Sequence, residues 1–433
     1  FCEADHYLGF DRQGIKLRPV QKLILKVFYR GSIGNENLKL TDEELKLCDQ
    51  LGLNSSDRGD VLTKYHSGHI FRELVLVWGR RAGKDFLSAV IALYEVMKLL
   101  ECPGGDPHKY YNIAAAEINI LTVAGSQAQA TIAFEEIRAK LQASEYFDDK
   151  YGNDGIQSLS IHLLTSKDKK TNRRFEKRGM SNTTKGSVII LVGHSNSASL
   201  LGKGCFVLIL DEVASYKTTD GAASGDRIYS SLQPTVATYF REVPVKDEKG
   251  KIVKDEKGEP VLKNIPDGKI ISISSPRGKE GKLWDLFSNA HLYHQTLACR
   301  LPTWDIVPGR SRELLRETFP SMSEQDFMME IGAEFSGTAG DNYFSEDHVL
   351  KCFKGDRTFK YAGTPGNCYF IHLDPANTSN NYALAVVHKE VFLNEEENKA
   401  DYRVVVDLLK FWHPLPNKPV ITKDVDKFVI NLK

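Results

Sequence analysis

Residues 73–100, ELVLVWGRRAGKDFLSAVIALYEVMKLL, run from a continuous apolar stretch (Leu74 to Trp78) through a glycine-bearing turn into a long helical pattern. An apolar run with no polar alternation suits a strand buried on both faces, and the helix that follows must cover one of them. The form recurs. NILTVAG leads into SQAQATIAFEEIRAKL, and KGSVIILVGHS, GKGCFVLILDEVAS and DGKIISISSPRG are further Val/Ile/Leu-rich runs bounded by glycine. Such alternation predicts an α/β fold with a mostly parallel sheet and helices on both faces. Upstream, Val20, Leu23, Ile24, Val27 and Phe28 fall on one helical face of RPVQKLILKVFYR.

The turn of the first unit reads Gly79-Arg80-Arg81-Ala82-Gly83-Lys84-Asp85. A nucleoside triphosphate needs a small-residue turn whose backbone N–H groups face the β-phosphate, a helix N-terminus behind it, and a lysine at the β/γ-phosphates. Gly83 and Lys84 supply this, with two departures from G-x-x-x-x-G-K-[ST]: Trp78 stands at the first glycine and Asp85 where a magnesium-ligating Ser/Thr is usual. Alone, such a turn would also suit a surface lysine. Further on, FVLILDE ends another apolar strand with Asp211-Glu212. Two acids at the end of a buried strand are costly without a cation, so Asp211 reads as a holder of Mg2+ and Glu212 as the group that polarises water. Together the two motifs argue for nucleotide hydrolysis.

The chain has 433 residues, 41% hydrophobic and 26% charged, which excludes disordered, collagen-like and membrane classes and suits two or three domains. Its 57 Lys+Arg balance 57 Asp+Glu, so a polyanion partner would have to be held by a local patch. The densest basic run is KDKKTNRRFEKR, with Lys167, Lys169, Lys170, Arg173, Arg174, Lys177 and Arg178 against only Asp168 and Glu176. It suits contacts to backbone phosphates, which Lys185 and Lys203 would extend; a solvated loop is the other reading. Seven scattered cysteines with no C-x-x-C pair indicate neither a zinc site nor a disulfide framework. With no long apolar run and no signal-peptide pattern the chain reads as cytoplasmic, and its start at Phe1 suggests part of a longer polypeptide.

Three further segments complete the plan. VKDEKGKIVKDEKGEPVLK repeats KDEKG at Lys246 to Gly250 and Lys254 to Gly258, and reads as an exposed hairpin insertion over 243–264 without chemistry. Residues 336–365 are irregular and linker-like. From 366, CYFIHLDPANTSNNYALAVVHKEVF and YRVVVDLLKFWHP read as successive strands of a second domain, after a first domain over 1–335.

The ordered motifs resemble one family, the large terminase subunit, the packaging motor of tailed bacteriophages and related viruses. GRRAGKD is similar to that family's looser phosphate loop and FVLILDE to its second motif; Ser274-Ser275-Pro276 resembles its coupling motif, and Leu17-Arg18-Pro19-Val20-Gln21 its adenine-reading segment. QDFMMEIGAEFSGTAGDNYF resembles its linker. The resemblance implies a P-loop (ASCE-type) ATPase followed by a partial RNase H-like nuclease domain. In the first, Gln21, Gly79, Ala82, Gly83, Lys84, Asp85 and Ser275 would hold ATP, Asp85 and Asp211 Mg2+, and Glu212 would activate water. In the second, HLDPANTSNNYALAVV gives Asp374 as first ligand of a Mg2+ or Mn2+ centre, whose later acids would lie beyond Lys433, leaving a chain that ended there inactive as a nuclease.

Leu201 stands where the family often carries its arginine finger, which leaves Arg81, Arg80 or Lys203 as the replacement. The implied partners are double-stranded DNA, the portal ring of a procapsid, the small terminase subunit and further copies in a ring, with no membrane, in the cytoplasm of an infected bacterial host. Two other readings share these motifs: another P-loop DNA translocase or helicase, and a nucleotide-gated scaffold that binds DNA or a portal without turnover.

Overall fold

The computed structural model describes all residues except 33, 34, 36, 37, 115, 116, 153, 181–183, 195–203, 217–224, 246–250, 337–351, 353–358, 377–380, 395–398, 415–419 and 433. Leu201, Lys203, the first KDEKG copy and most of the expected linker therefore lie outside the described residues. The chain divides into two compact units, Phe1–Ser345 and Glu346–Lys433.

The first unit holds β1 (Glu73–Trp78), β2 (Ile118–Ala124), β3 (Ser160–Leu163), β4 (Val188–His194), β5 (Cys205–Asp211), β6 (Phe240–Pro244), β7 (Leu262–Pro266), β8 (Lys269–Ser274) and β9 (Thr296–Leu301). Seven of these form one sheet in the order β3-β4-β2-β5-β8-β1-β9, parallel throughout except at the β3–β4 edge. Successive residues of a strand point to opposite faces, and β1 divides accordingly. Leu74, Leu76 and Trp78 enter a core with the helices Pro19–Tyr29, Lys84–Leu100 and Gln127–Gln142. Val75 and Val77 enter another with the helices Gly225–Val236 and Gly281–Ser288. Burial on both sides explains why these strands carry no polar alternation.

Two sheet strands went unread in the sequence. β3 is a four-residue edge strand, SIHL, and β9 carries Arg300, whose charge is absorbed by an ion pair with Asp57 and a hydrogen bond to Ala333 O at 3.0 Å. The insertion starts earlier than expected: β6 and β7 pair antiparallel from Phe240 to Pro266. Val253 N donates to Val245 O at 2.8 Å and Val261 N to Val253 O at 2.9 Å, so the described part is a small meander, with the second KDEKG copy at its turn.

The second unit has β10 (Tyr369–Asp374), β11 (Tyr382–Asn394) and β12 (Lys399–Trp412) in one antiparallel sheet, with a helix Thr422–Ile430. Leu384, Val386 and Leu408 form its own core. Among the described residues, no helix is long and apolar enough to cross a membrane.

Candidate active site

Because β5, β8 and β1 are parallel neighbours, their carboxyl ends meet at one edge of the sheet. That is where open α/β sheets present their ligand crevices. The edge gathers the loop Gly79–Lys84 after β1, Asp211-Glu212 at the end of β5, and Ser274-Ser275 at the end of β8.

Packing from below shapes the loop. A Cβ on Gly79 would sit 2.2 Å from Ile331 O and 2.3 Å from Thr303 Oγ1, so only glycine fits there. Thr303 Oγ1 donates to Arg80 O at 2.8 Å, and Arg80 N donates to Glu330 O at 2.6 Å. Gly83 takes φ +85°, left-handed backbone that glycine adopts freely; Arg81 takes φ 60°, uncommon for a residue with a side chain. From the other side Arg18 donates to Ala82 O at 2.6 Å and the Gln21 amide donates to Gly83 O at 3.4 Å. Gln21 Oε1 accepts from Arg18 N at 3.0 Å. Both ends of the Gln21 amide are thus engaged within the chain, and its side chain is buried against the loop.

Lys84 is only 6% exposed, and its Nζ donates to Trp78 O at 3.2 Å, Gly79 O at 3.4 Å and Ser275 Oγ at 3.2 Å. Burial lowers its pKa below the ordinary lysine value, against the opposing pull of Glu212, Asp85 and Asp211. The carboxylates are crowded in turn. Burial, then Asp85 and Glu212, push the Asp211 carboxyl up to about 7, and its Oδ1 is buried without a hydrogen-bond partner. Asp85 is also raised, by burial that Lys84 only partly offsets and by Glu212. Glu212 sits in left-handed backbone at φ 49°, ψ 46°.

The two serines at the end of β8 reach different motifs. Ser274 Oγ shares its proton between Glu212 Oε2 at 3.2 Å and Ser275 O at 2.8 Å, and accepts from Ala214 N at 3.2 Å. Ser275 Oγ holds Lys84 and donates to Trp78 O at 3.2 Å. Among the described residues no three His, Cys, Asp or Glu side chains converge as a protein-only metal cage. Mg2+ rarely uses such cages, taking one or two carboxylates and completing its shell with water and phosphate oxygens. The orphaned Asp211 Oδ1 beside Asp85 fits that ion.

The remaining expected residues are placed as follows. Arg80 pairs with Glu330 (Nε–Oε2 2.6 Å), whereas the Arg81 side chain is exposed and makes no hydrogen bond or ion pair among the described residues. Asp374 ends β10 in the second unit, exposed and opposite Ala383, and no group of acids converges on it among the described residues. In the basic run, Lys167 pairs with Asp106 and Lys169 with Asp149, each at 2.8 Å. Arg18, Ser274, Thr303 and Glu330 belong to the site as well. In the sequence Arg18 and Ser274 figure only as members of quoted motifs, without a role of their own, and nothing local marks Thr303 or Glu330.

Residues 53–245 match the family model described as "Uncharacterized protein MJ0330, N-terminal P-loop domain". A search of curated proteins finds no match. Among solved structures the chain is similar to a mutant ATPase domain of the large terminase of Thermus phage P74-26, at 17% identity and TM-score 0.38, over 68% of this chain and 98% of that one. It is also similar to the large terminase of bacteriophage HK97, at 12% identity and TM-score 0.41, over 86% of this chain and 72% of that one. The sheet order, the loop after β1 and the family match together define a P-loop domain on a mostly parallel α/β sheet.

Proposed function

We propose that this chain is an ATP-hydrolysing motor that moves double-stranded DNA, as in the packaging of viral DNA into a procapsid. The observation that carries the reading is the pair Ser274-Ser275, which connects the phosphate-loop lysine to Glu212 of the second motif at 3.2 Å each.

Lys84 and the loop amides bind the β- and γ-phosphates; a phosphate oxygen would favour the charged form that burial disfavours in Lys84. Asp211 and Asp85 would hold Mg2+, which would supply positive charge against the negative charge that develops on the phosphoryl group. Glu212 accepts a proton from the attacking water, oriented by Ser274. Arg81, unpaired among the described residues, or Arg80 stabilises the transferring phosphoryl group. Ser275, in contact with Lys84, senses the loss of the γ-phosphate and passes it to β8. By the family resemblance, the second unit begins an RNase H-like nuclease with Asp374 as a ligand of Mg2+ or Mn2+. The same resemblance supports a portal ring, a small terminase subunit and further copies of the chain as partners, inside an infected bacterial host.

Phosphate release from ATP, measured with and without duplex DNA, tests the motor. Mg2+-dependent release that rises with duplex DNA is expected; release indifferent to DNA contradicts translocation, and no release at all contradicts the ATPase. For the nuclease, divalent-dependent cutting of plasmid DNA should vanish in Asp374→Asn, and unaltered cutting would reject that ligand.

A further inference from the structure

We propose that one face of the helix Ser166–Glu176, continued by Lys177 and Arg178, grips the phosphate backbone of duplex DNA through five side chains. The inference rests on the DNA reading above and narrows it to a defined surface.

The sequence offers seven cations in this run, and the fold separates them into two groups. Lys167 and Lys169 are held by Asp106 and Asp149. Lys170, Arg173, Arg174, Lys177 and Arg178 are all exposed, and none makes an ion pair among the described residues. Their spacing of three, four, seven and eight residues from Lys170 is that of a single helical face. Among the described residues, a groove of about 410 Å³ is lined by these five side chains. Five cations crowded on one face repel one another in the free protein and gain when an anion lattice neutralises them.

Of the two acids of the run, Glu176 makes no ion pair with these cations among the described residues. Asp168 is turned away into the fold: its Oδ2 accepts from Thr165 N at 3.0 Å, Thr165 Oγ1 at 2.8 Å, Ser187 N at 3.1 Å and Ser187 Oγ at 2.7 Å. Asn172 adds a second clamp, donating to Thr184 O and accepting from Thr184 N, both at 2.9 Å. Thr184 and Ser187 lead directly into β4, so the basic face stands on a helix locked to the sheet. From Lys170 to Arg178 it extends about 12 Å along the axis. That matches the width of a major groove, with each strand placing a phosphate about every 3.4 Å of helix axis. Such contacts read no bases, as a motor that must pass any sequence requires.

Binding of the full chain to a 30-base-pair duplex of arbitrary sequence, followed by fluorescence anisotropy between 50 and 200 mM NaCl, tests this. With five phosphate contacts, wild-type affinity should fall about 500-fold across that range, and Lys170→Gln/Arg174→Gln should reduce the fall to about 40-fold. Lys167→Gln/Lys169→Gln should keep the wild-type salt dependence. Duplex binding with an unchanged salt dependence in Lys170→Gln/Arg174→Gln overturns this surface while the DNA reading stands, as does an equal loss in Lys167→Gln/Lys169→Gln. No binding by the wild type overturns both. Tighter binding of the single strand than of the duplex overturns the groove-spanning geometry.

Discussion

Lys269 enters the core at the head of β8 with 1% exposure, its Nζ donating to Phe71 O at 2.7 Å and lying 5.3 Å from the centre of the Phe28 ring. Burial brings its pKa down to about 8, with Glu95 and Asp267 only partly restoring it. The folded protein thus loses this proton before the unfolded chain does. Below that pKa both states hold the proton and the folded state carries the whole burial cost; the cost fades as pH rises from about 8 towards the ordinary lysine range. Lys269→Met, similar in length and uncharged, should stabilise the protein at pH 7 by on the order of 3 kcal/mol. The gain should shrink at pH 10. Denaturant unfolding at both pH values checks this, and an equal effect at each would contradict it. At this scale the candidate site was only half legible. Lys84, Asp211 and Glu212 announce themselves because glycine-lysine after a strand and paired acids at a strand end are local patterns. Thr303 and Glu330 reach the loop from far along the chain, where no local spacing marks them.

At the scale of elements, the helix Ser166–Glu176 depends on its first turn. Thr165 Oγ1 accepts from Asp168 N at 3.1 Å while Asp168 Oδ2 accepts from Thr165 N at 3.0 Å, a reciprocal cap with Asp in the third position. Thr165→Ala should cost about 1 kcal/mol and weaken duplex binding with it, because the cap also fixes the helix to Ser187; an unchanged denaturation midpoint would show that the cap contributes nothing. The sheet strands were legible in proportion to their burial. β1, β2, β4, β5 and β8 are interior strands whose apolar runs stand out against glycine boundaries. β3, short and at an edge, alternates like a loop, and β9 conceals its buried character behind Arg300, whose partner Asp57 lies far away in sequence. A single-sequence reading prices Arg300 as exposed; only the fold supplies its counter-charge.

Over the whole molecule, 57 basic and 57 acidic residues cancel, yet the first unit distributes them unevenly. Five exposed cations share one helical face, while Asp85, Asp211 and Glu212 crowd the edge beside Lys84. Zero net charge leaves no global field to hold a polyanion, so the proposed motor would grip through a local patch and let go without working against the rest of its surface. The sheet joins the chemistry: β1 carries the phosphate loop, β5 the acids and β8 the two serines that touch both. The central claim is that these three strand ends form one hydrolytic site. It is tested most directly by Glu212→Gln, which keeps shape and hydrogen-bonding capacity but removes the proton acceptor. With Mg2+ and ATP, nucleotide binding by equilibrium titration should stay within a few-fold of wild type, whereas phosphate release should fall by at least ~10². Release at the wild-type rate would contradict the account.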